Sequence, residues 1–437
     1  MIKKKIVIIG AGPMGLSVAW HLKKQNFKDF LILEKNPYVG GLSTSFQDNK
    51  GFFWDIGGHV IHDKQQEFTE FCQKMLKKNV ARQKRKAFIY FKNRFIPYPF
   101  QNNIAFLSKN YRKRCLEDLK NLKKLKSSPK NFHEWIISSF GQQIAKYFMI
   151  PQNEKSWAYP LKKLNTSWLS KKVSPSPLTA IRKEFKKNKP GVLNWGSHQY
   201  FFYPRKEGIG LLWKKAASLI KNSILLETKA KQINLVEKTI FTQTGKVIKF
   251  DTLVSTIPIN ELINISNSPK KIKTLSLKLK YNSGIVIGLG FPKQPKFKDW
   301  HWIYFPDKKY SFFRLCLLSK IGQGTVPNSN YSSFLIEIST RGKCEKRYES
   351  LINKITNQIG KIFFDNENIL PITTFSISPK YYYPIPTLDR DKTLKKINQF
   401  LNSNQIYSIG RFGSWKYELG NMDNCFMEAR NITKVLF

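Results

Sequence analysis

Six residues near the start limit what this chain can fold into. Gly10-Ala-Gly12-Pro-Met-Gly15 follows Lys5-Ile-Val-Ile-Ile9 and precedes Leu16-Ser-Val-Ala-Trp-His-Leu22. The first run is β-branched, as in a buried parallel strand, and the second has helical apolar spacing. A GxGxxG between strand and helix is the turn that a dinucleotide-binding βαβ unit requires. Gly10 makes the tight turn, Gly12 lets backbone approach a pyrophosphate, and Gly15 lets the helix pack on the strand. The helix N-terminus then faces the phosphates. Phe30-Leu-Ile-Leu33 reads as the second strand and ends in Glu34, 24 residues beyond Gly10. That spacing suits a carboxylate holding a ribose hydroxyl.

The following motifs favour a flavin over a nicotinamide. Gly40-Gly41-Leu-Ser43 and Asp55-Ile-Gly-Gly58-His59 come next, and Leu253-Val-Ser-Thr-Ile-Pro258 lies far downstream. In this order they resemble the glutathione-reductase-like flavoproteins, in the branch of the amine oxidases and protoporphyrinogen oxidase. The resemblance implies FAD, with the Gly-Gly loop near its phosphates and flavin, and the later strand leading back to the cofactor domain.

The expected fold is α/β: a Rossmann-like FAD-binding domain with an inserted helical subdomain and a mainly antiparallel β-sheet subdomain. The cofactor domain is expected in three pieces, 1–64, 205–262 and 400–437. The sheet subdomain takes 65–104, a connection at 191–204 and 263–399, and the helical subdomain takes 105–190. Strands are expected at 88–91, 94–96, 282–292, 302–305, 311–318, 333–338 and 406–409. Helices are expected at 211–220 and from about Asn421.

Composition bounds the rest. A chain of 437 residues, 41% hydrophobic, buries large cores. No run of about 18 apolar residues is present, so no transmembrane helix is expected. No secretory h-region precedes the first strand. The five cysteines, Cys72, Cys115, Cys316, Cys344 and Cys425, are odd in number and far apart. They give neither zinc spacing nor a disulfide framework, and a reducing cytoplasm is the simplest compartment. The formal charge of +46 would spread a positive field over the surface. The cations are distributed along the chain, with Lys109 to Lys130 densest. Nucleic-acid binding is therefore not expected, while attraction of a dianionic nucleotide is.

Near the C-terminus, Gly410-Arg-Phe-Gly-Ser-Trp-Lys-Tyr-Glu-Leu-Gly-Asn421 packs two cations, three aromatics and three glycines into twelve residues. Arg411 offers a donor fork suited to phosphate. Trp415 and Tyr417 offer flat faces, and Tyr417 a hydroxyl. The plain alternative is a Gly-rich turn with an aromatic plug.

This segment completes a series that resembles the eukaryotic-type UDP-galactopyranose mutases. The others are Tyr98-Pro-Phe-Gln-Asn-Asn103, Phe148 to Ala158, Asn194-Trp-Gly196, Tyr203-Pro with Gly208 to Trp213, Trp302-Ile-Tyr-Phe-Pro306 and Tyr383-Pro-Ile-Pro-Thr-Leu388. The series spans essentially the whole chain. The resemblance implies interconversion of UDP-galactopyranose and UDP-galactofuranose, redox-neutral yet dependent on reduced FAD, which attacks the anomeric carbon and displaces UDP. NAD(P)H is a candidate reductant, and cell-surface polysaccharide biosynthesis the implied setting.

Carried over residue by residue, the resemblance makes His59 a neighbour of the flavin. Arg314 and Arg411 become the diphosphate ligands, with Tyr383, Tyr417 and Asn421 beside them. Tyr98, Gln101, Met149, Asn153, Trp157, Lys172, Trp302 and Tyr304 line the nucleotide and sugar sides. Gly10, Gly12, Gly15, Glu34, Gly41, Gly58 and Gly410 hold the cofactor, and no metal is implied. His62 stands where the family has Phe, Lys172 where it has Arg, and His198 where it has Asn. The stretch after Ser319 is shorter than in eukaryotic members. The alternative is an FAD-dependent oxidoreductase of the amine oxidase or protoporphyrinogen oxidase type. His21, His133 and His301 are read as surface or packed histidines.

Overall fold

The βαβ unit forms where its motif sits. The computed structural model describes residues 1–436 except 123–127, 170–178, 180, 182, 184–186, 188–190, 193–198, 298, 343–347 and 366–367. Strand β1 (Ile2–Ile9), helix α1 (Pro13–Lys24) and strand β2 (Phe30–Leu33) follow in order. Ile6 to Ile9 are all buried, as a strand covered on both faces must be. Pro13 opens α1, where its missing N–H does no harm, and His21, Lys23 and Lys24 close it against the helix dipole.

β1 lies between β2 and Val247–Ser255, parallel to both. Ile406–Ser408 adds on the far side of Val247–Ser255, again in parallel. One row of partners crosses this sheet: Leu33, Ile9, Ser255 and Ser408. The residues that follow, Glu34, Gly10, Thr256 and Ile409-Gly410, therefore emerge together at the carboxyl edge, where open α/β sheets bind ligands. Ala230–Asn234 and Thr239–Thr242 extend this sheet as an antiparallel meander.

A second sheet of eight strands is antiparallel save for one pair, Ala87–Phe91 beside Trp302–Tyr304. Its long strands are Tyr281–Phe291 and Ser332–Thr340, in register over nine pairs from Ser283↔Thr340 to Phe291↔Ser332. The expected strand at 311–318 is shorter, Arg314–Leu317, because Leu318–Ile321 turns into a short helix.

Side-chain alternation gives this sheet two unlike faces. Ile303, Leu315, Ile336, Ile287 and Leu289 join one dry cluster with Ile355 and Ile359 of the helix Glu349–Ile359. The opposite face carries Trp302, Tyr304, Arg314, Cys316 and Glu337.

The helical region contains Lys109–Lys120, Phe132–Ile144 and Ile150–Trp157, the last two joined through a wider turn at Ala145–Met149. Asn131 caps the second by accepting from the Glu134 N–H at 3.0 Å, and Glu134 accepts back from the Lys130 N–H at 2.9 Å. Phe132, Ile136 and Phe140, at i, i+4 spacing, make its buried stripe up to the break at Gly141, and Ile144 and Phe148 join the same core beyond it. No helix among the described residues is long and apolar enough to cross a membrane.

Candidate active site

Two neighbouring features make the site, a backbone cradle and a side-chain cavity. In the cradle, Gly10 has φ +102°, a conformation that favours glycine. A Cβ on Gly15 would stand 1.9 Å from the Gly10 carbonyl oxygen, so only glycine lets α1 approach β1 this closely. Gly41 approaches Gly12 from across the crevice. The Gly12 cap carries no side-chain hydrogen bond. The first-turn N–H groups of α1 thus have no side-chain cap and suit an anion. Glu34, buried, accepts the Ala11 N–H at 2.8 Å through one oxygen, and the Asn36 N–H and amide at 2.9 and 2.8 Å through the other.

The cavity opens beside Gly410, where the cradle ends. It is lined by Gly58, His59, His62, Arg314, Glu337, Tyr382, Tyr383, Arg411, Tyr417 and Asn421, among others. Sheet register places its floor. Tyr304, Arg314 and Glu337 face one another across three adjacent strands. Arg314 donates to both oxygens of Glu337, from Nε at 2.6 Å and Nη2 at 2.8 Å. Glu337 is fully buried and also accepts from the Tyr382 hydroxyl and, at 3.3 Å, from the Gly58 N–H. Burial alone would raise the Glu337 carboxyl; the guanidinium and hydrogen bonds hold it below its ordinary value. The same carboxylate outweighs burial at Arg314 and keeps it charged.

The roof comes from the C-terminal segment. The segment folds as one helical turn, Gly410–Gly413, followed by a 3₁₀ turn, Tyr417–Leu419. Gly410 at φ +82° starts it, and Ser414 N–H closes it on the Gly410 carbonyl at 2.8 Å. Arg411 Nη2 donates to the Gly420 carbonyl at 2.6 Å. A Cβ on Gly420 would meet Arg411 Nε at 2.4 Å, so glycine there leaves room for the guanidinium. Tyr417 packs edge-on against Trp157 at 4.8 Å and Tyr383 at 5.4 Å. Burial raises both the Tyr383 and Tyr417 hydroxyls despite the nearby arginines. They remain neutral donors at physiological pH.

His59 follows Gly57-Gly58 and has its pKa lowered to about 4, first by burial and then by the charge of Arg411. Its Nδ1 is buried without a partner among the described residues. The loop is held from below: buried Asp55 accepts from Tyr203 at 2.6 Å, from Ser45 at 2.5 Å and from the Ile209 N–H at 3.2 Å. Burial raises the Asp55 pKa to about 6.

The residues singled out from sequence do not all meet in one place. His59, Gly58, Arg314, Arg411, Tyr383, Tyr417 and Asn421 line the one cavity. Tyr98 stacks on Tyr304 at 4.9 Å, and Trp302 is buried two residues along the same strand face. Gln101, Met149 and Trp157 are buried and not among the cavity-lining residues, and Asn153 donates to the Met149 carbonyl at 2.7 Å. Lys172, His198 and Asn194-Trp-Gly196 lie outside the described residues. Trp415 is corrected: it is wholly buried against Tyr281, Tyr381 and Phe412, an aromatic plug rather than a ligand face. His301 is packed as expected, bonded through both ring nitrogens to the Lys86 N–H and to Gln83, each at 3.0 Å.

Sequence reasoning missed Glu337, Asn282 and Arg390. Glu337 is the only charged residue in Ser332–Thr340, and a lone acid in a buried strand was the available signal. Asn282, buried, donates to the Ser156 and Trp157 carbonyls at 3.1 and 3.0 Å and accepts the Tyr383 N–H at 2.7 Å. Arg390, 2% exposed, forks onto Glu418 at 3.1 Å, next to Tyr417.

The model of the family described as flavin containing amine oxidoreductase matches residues 15–335. The chain is similar to a crystal structure of reduced UDP-galactopyranose mutase, with TM-score 0.94 and 33% identity, over 100% of this chain and 94% of that one. It shares a fold with cyclohexylamine oxidase from Brevibacterium oxydans, with TM-score 0.69 and 13% identity, over 99% and 98% of the two chains. A lysine-specific histone demethylase 1 homolog from Arabidopsis thaliana is 37% identical over 59 residues, 14% of this chain and 4% of that much longer protein. The cofactor these likenesses indicate is FAD.

Proposed function

Since the chain belongs to the flavin containing amine oxidoreductase family, we propose that within it this protein is a UDP-galactopyranose mutase, an isomerase rather than an oxidase. The observation that carries the reading is the convergence of Arg314 and Arg411 on one cavity beside the cradle, with Tyr383, Tyr417 and Asn421. The likeness to the reduced mutase over the whole chain supports it.

The cradle fits FAD by its own geometry. Gly10, Gly12 and Gly15 would let the pyrophosphate reach the start of α1, and Glu34 would meet the ribose. Gly41, Gly58 and Gly410 stand on loops around the same crevice. When bound and reduced, the flavin supplies the nucleophile for the anomeric carbon, and no substrate is oxidised overall.

The side chains do the rest. Arg314 and Arg411 hold the diphosphate, and their charge-assisted bonds strengthen as negative charge builds on the departing UDP. Tyr383 and Tyr417 add neutral O–H donors, and Asn421 an amide. Tyr98, Tyr304 and Trp302 offer aromatic faces to nucleoside and sugar. Trp157 and Trp168 pack edge-on behind Tyr417 and close that wall of the cavity to water. His59, neutral at physiological pH, accepts or donates one hydrogen bond at the flavin side. The division of the chain into a three-piece cofactor region, a helical insertion and a sheet region belongs to the same proposal. An amine substrate suits this cavity poorly, since its two arginines outnumber its one carboxylate and leave net positive charge.

Incubation of dithionite-reduced protein with UDP-galactopyranose tests the assignment. The expected product is the furanose isomer, of equal mass, separated by chromatography and identified by NMR. Unchanged substrate under these conditions overturns it.

A further inference from the structure

Glu337 is a buried carboxylate whose acceptor capacity is full. It takes Nε and Nη2 of Arg314 at 2.6 and 2.8 Å, the Tyr382 hydroxyl, the Gly58 N–H at 3.3 Å and the Cys316 thiol at 3.7 Å. A carboxylate with that many donors has nothing left to offer a substrate. Its effect must pass through the groups it holds. The chief of these is Arg314, directly opposite in the strand register. With the Nε–Nη2 edge of the guanidinium committed, Nη1 remains, and it has no partner among the described residues. Arg411 differs: it donates to the Gly420 carbonyl and stands 6.0 Å from the Tyr383 ring, and among the described residues no carboxylate forms an ion pair with it.

We propose that Glu337 is a positioning residue that divides the labour between the two arginines. Glu337 cancels most of the charge of Arg314 and fixes its direction, while Arg411 supplies the net positive charge that draws the diphosphate. Through the Gly58 N–H the same carboxylate ties this arginine to the loop carrying His59. Binding of the ground state is thereby kept modest, and the oriented Nη1 acts where charge grows on the leaving group. The inference rests on the mutase reading above.

Steady-state kinetics and UDP titration of Glu337→Gln separate this role from a purely structural one. The amide keeps the shape and removes the charge. Turnover should fall by about 10- to 100-fold. UDP should bind as tightly as to the unchanged protein or up to about tenfold tighter, because a negative charge has left the cavity. A structural role alone would weaken both together. Combined with Arg314→Ala, Glu337→Gln should add no further loss, since the carboxylate acts through that arginine. Tyr382→Phe, which withdraws one donor from Glu337, should shift turnover the same way by a smaller factor. It carries the test if Glu337→Gln yields no soluble protein. Unaltered turnover in both single variants, weaker UDP binding in either, or additive losses in the double variant overturns the proposal. Absence of furanose product from the unchanged protein would instead sink the mutase reading itself.

Discussion

The cradle and the cavity touch at Gly410 but are built on opposite plans. The cradle is mainly backbone: three glycines, a helix N-terminus and one carboxylate from the first 34 residues, closed by Gly41 and Gly410. The cavity is side chain, gathered from strands and turns between Gly58 and Asn421. The first tolerates no added atoms but cares little about charge. The second has room, and depends on where a few charges stand. Substitutions should therefore fail for different reasons in the two places.

Steric intrusion in the cradle should have the largest effect. Gly15→Val places a Cβ inside the Gly10 carbonyl. Expected destabilisation is roughly 3 kcal/mol or more, with loss of bound flavin. Flavin absorbance after purification checks it, and a stable yellow variant would break the comparison. Next come the cavity charges. Arg411→Ala and Arg314→Ala should retain FAD yet lose about 100- to 1000-fold in turnover. If either variant loses its flavin instead, cradle and cavity are not separable in this way.

Acid should act on both regions. His21 on α1, His59 in the cavity and His301 under the sheet are each depressed to about 4, chiefly by burial. Their folded values lie below the unfolded one, so their contribution is complete above about pH 6.5 and is lost as pH falls through 4. Asp55, raised to about 6, opposes them: its contribution exists below its unfolded value and is lost as pH rises through 6. Glu428, also raised by burial, opposes them too. Glu337, Asp48 and Glu67, held low by their partners, lose stability in acid as the histidines do, and the balance predicts a lower urea midpoint at pH 4.5 than at pH 7. An unchanged midpoint would show that these rings accept protons without strain.

The smallest effect sharpens the contrast with the surface. Lys113 pairs with Glu117 at 3.8 Å, both side chains well exposed. Lys113→Ala should shift stability by less than about 0.5 kcal/mol and leave turnover alone, as thermal melting and an activity assay can check.

The two plans also explain what could be read in advance. The cradle is local, so strand, glycines, helix and Glu34 stand in line in the sequence and again in the sheet. The C-terminal segment was nearly as legible, because cations and aromatics rarely crowd among glycines without cause. Even so, sequence could not tell that Trp415 turns into the core while Tyr417, two residues on, faces the cavity; that depends on the helical turn at Gly410–Gly413. Glu337 went unnoticed because its meaning lies in register. Only when Arg314–Leu317 pairs with Ser332–Thr340 does the acid meet its arginine. Asn282 and Arg390 were hidden likewise, since each bonds to residues more than 25 positions away. Strand ends were displaced where a turn intervened, as at Leu318.

A crystal structure of the reduced protein with UDP would test the central claim most directly. The account predicts the diphosphate within hydrogen-bonding distance of both Arg314 and Arg411, beside the flavin ring. UDP bound elsewhere, or contacting neither guanidinium, would contradict it.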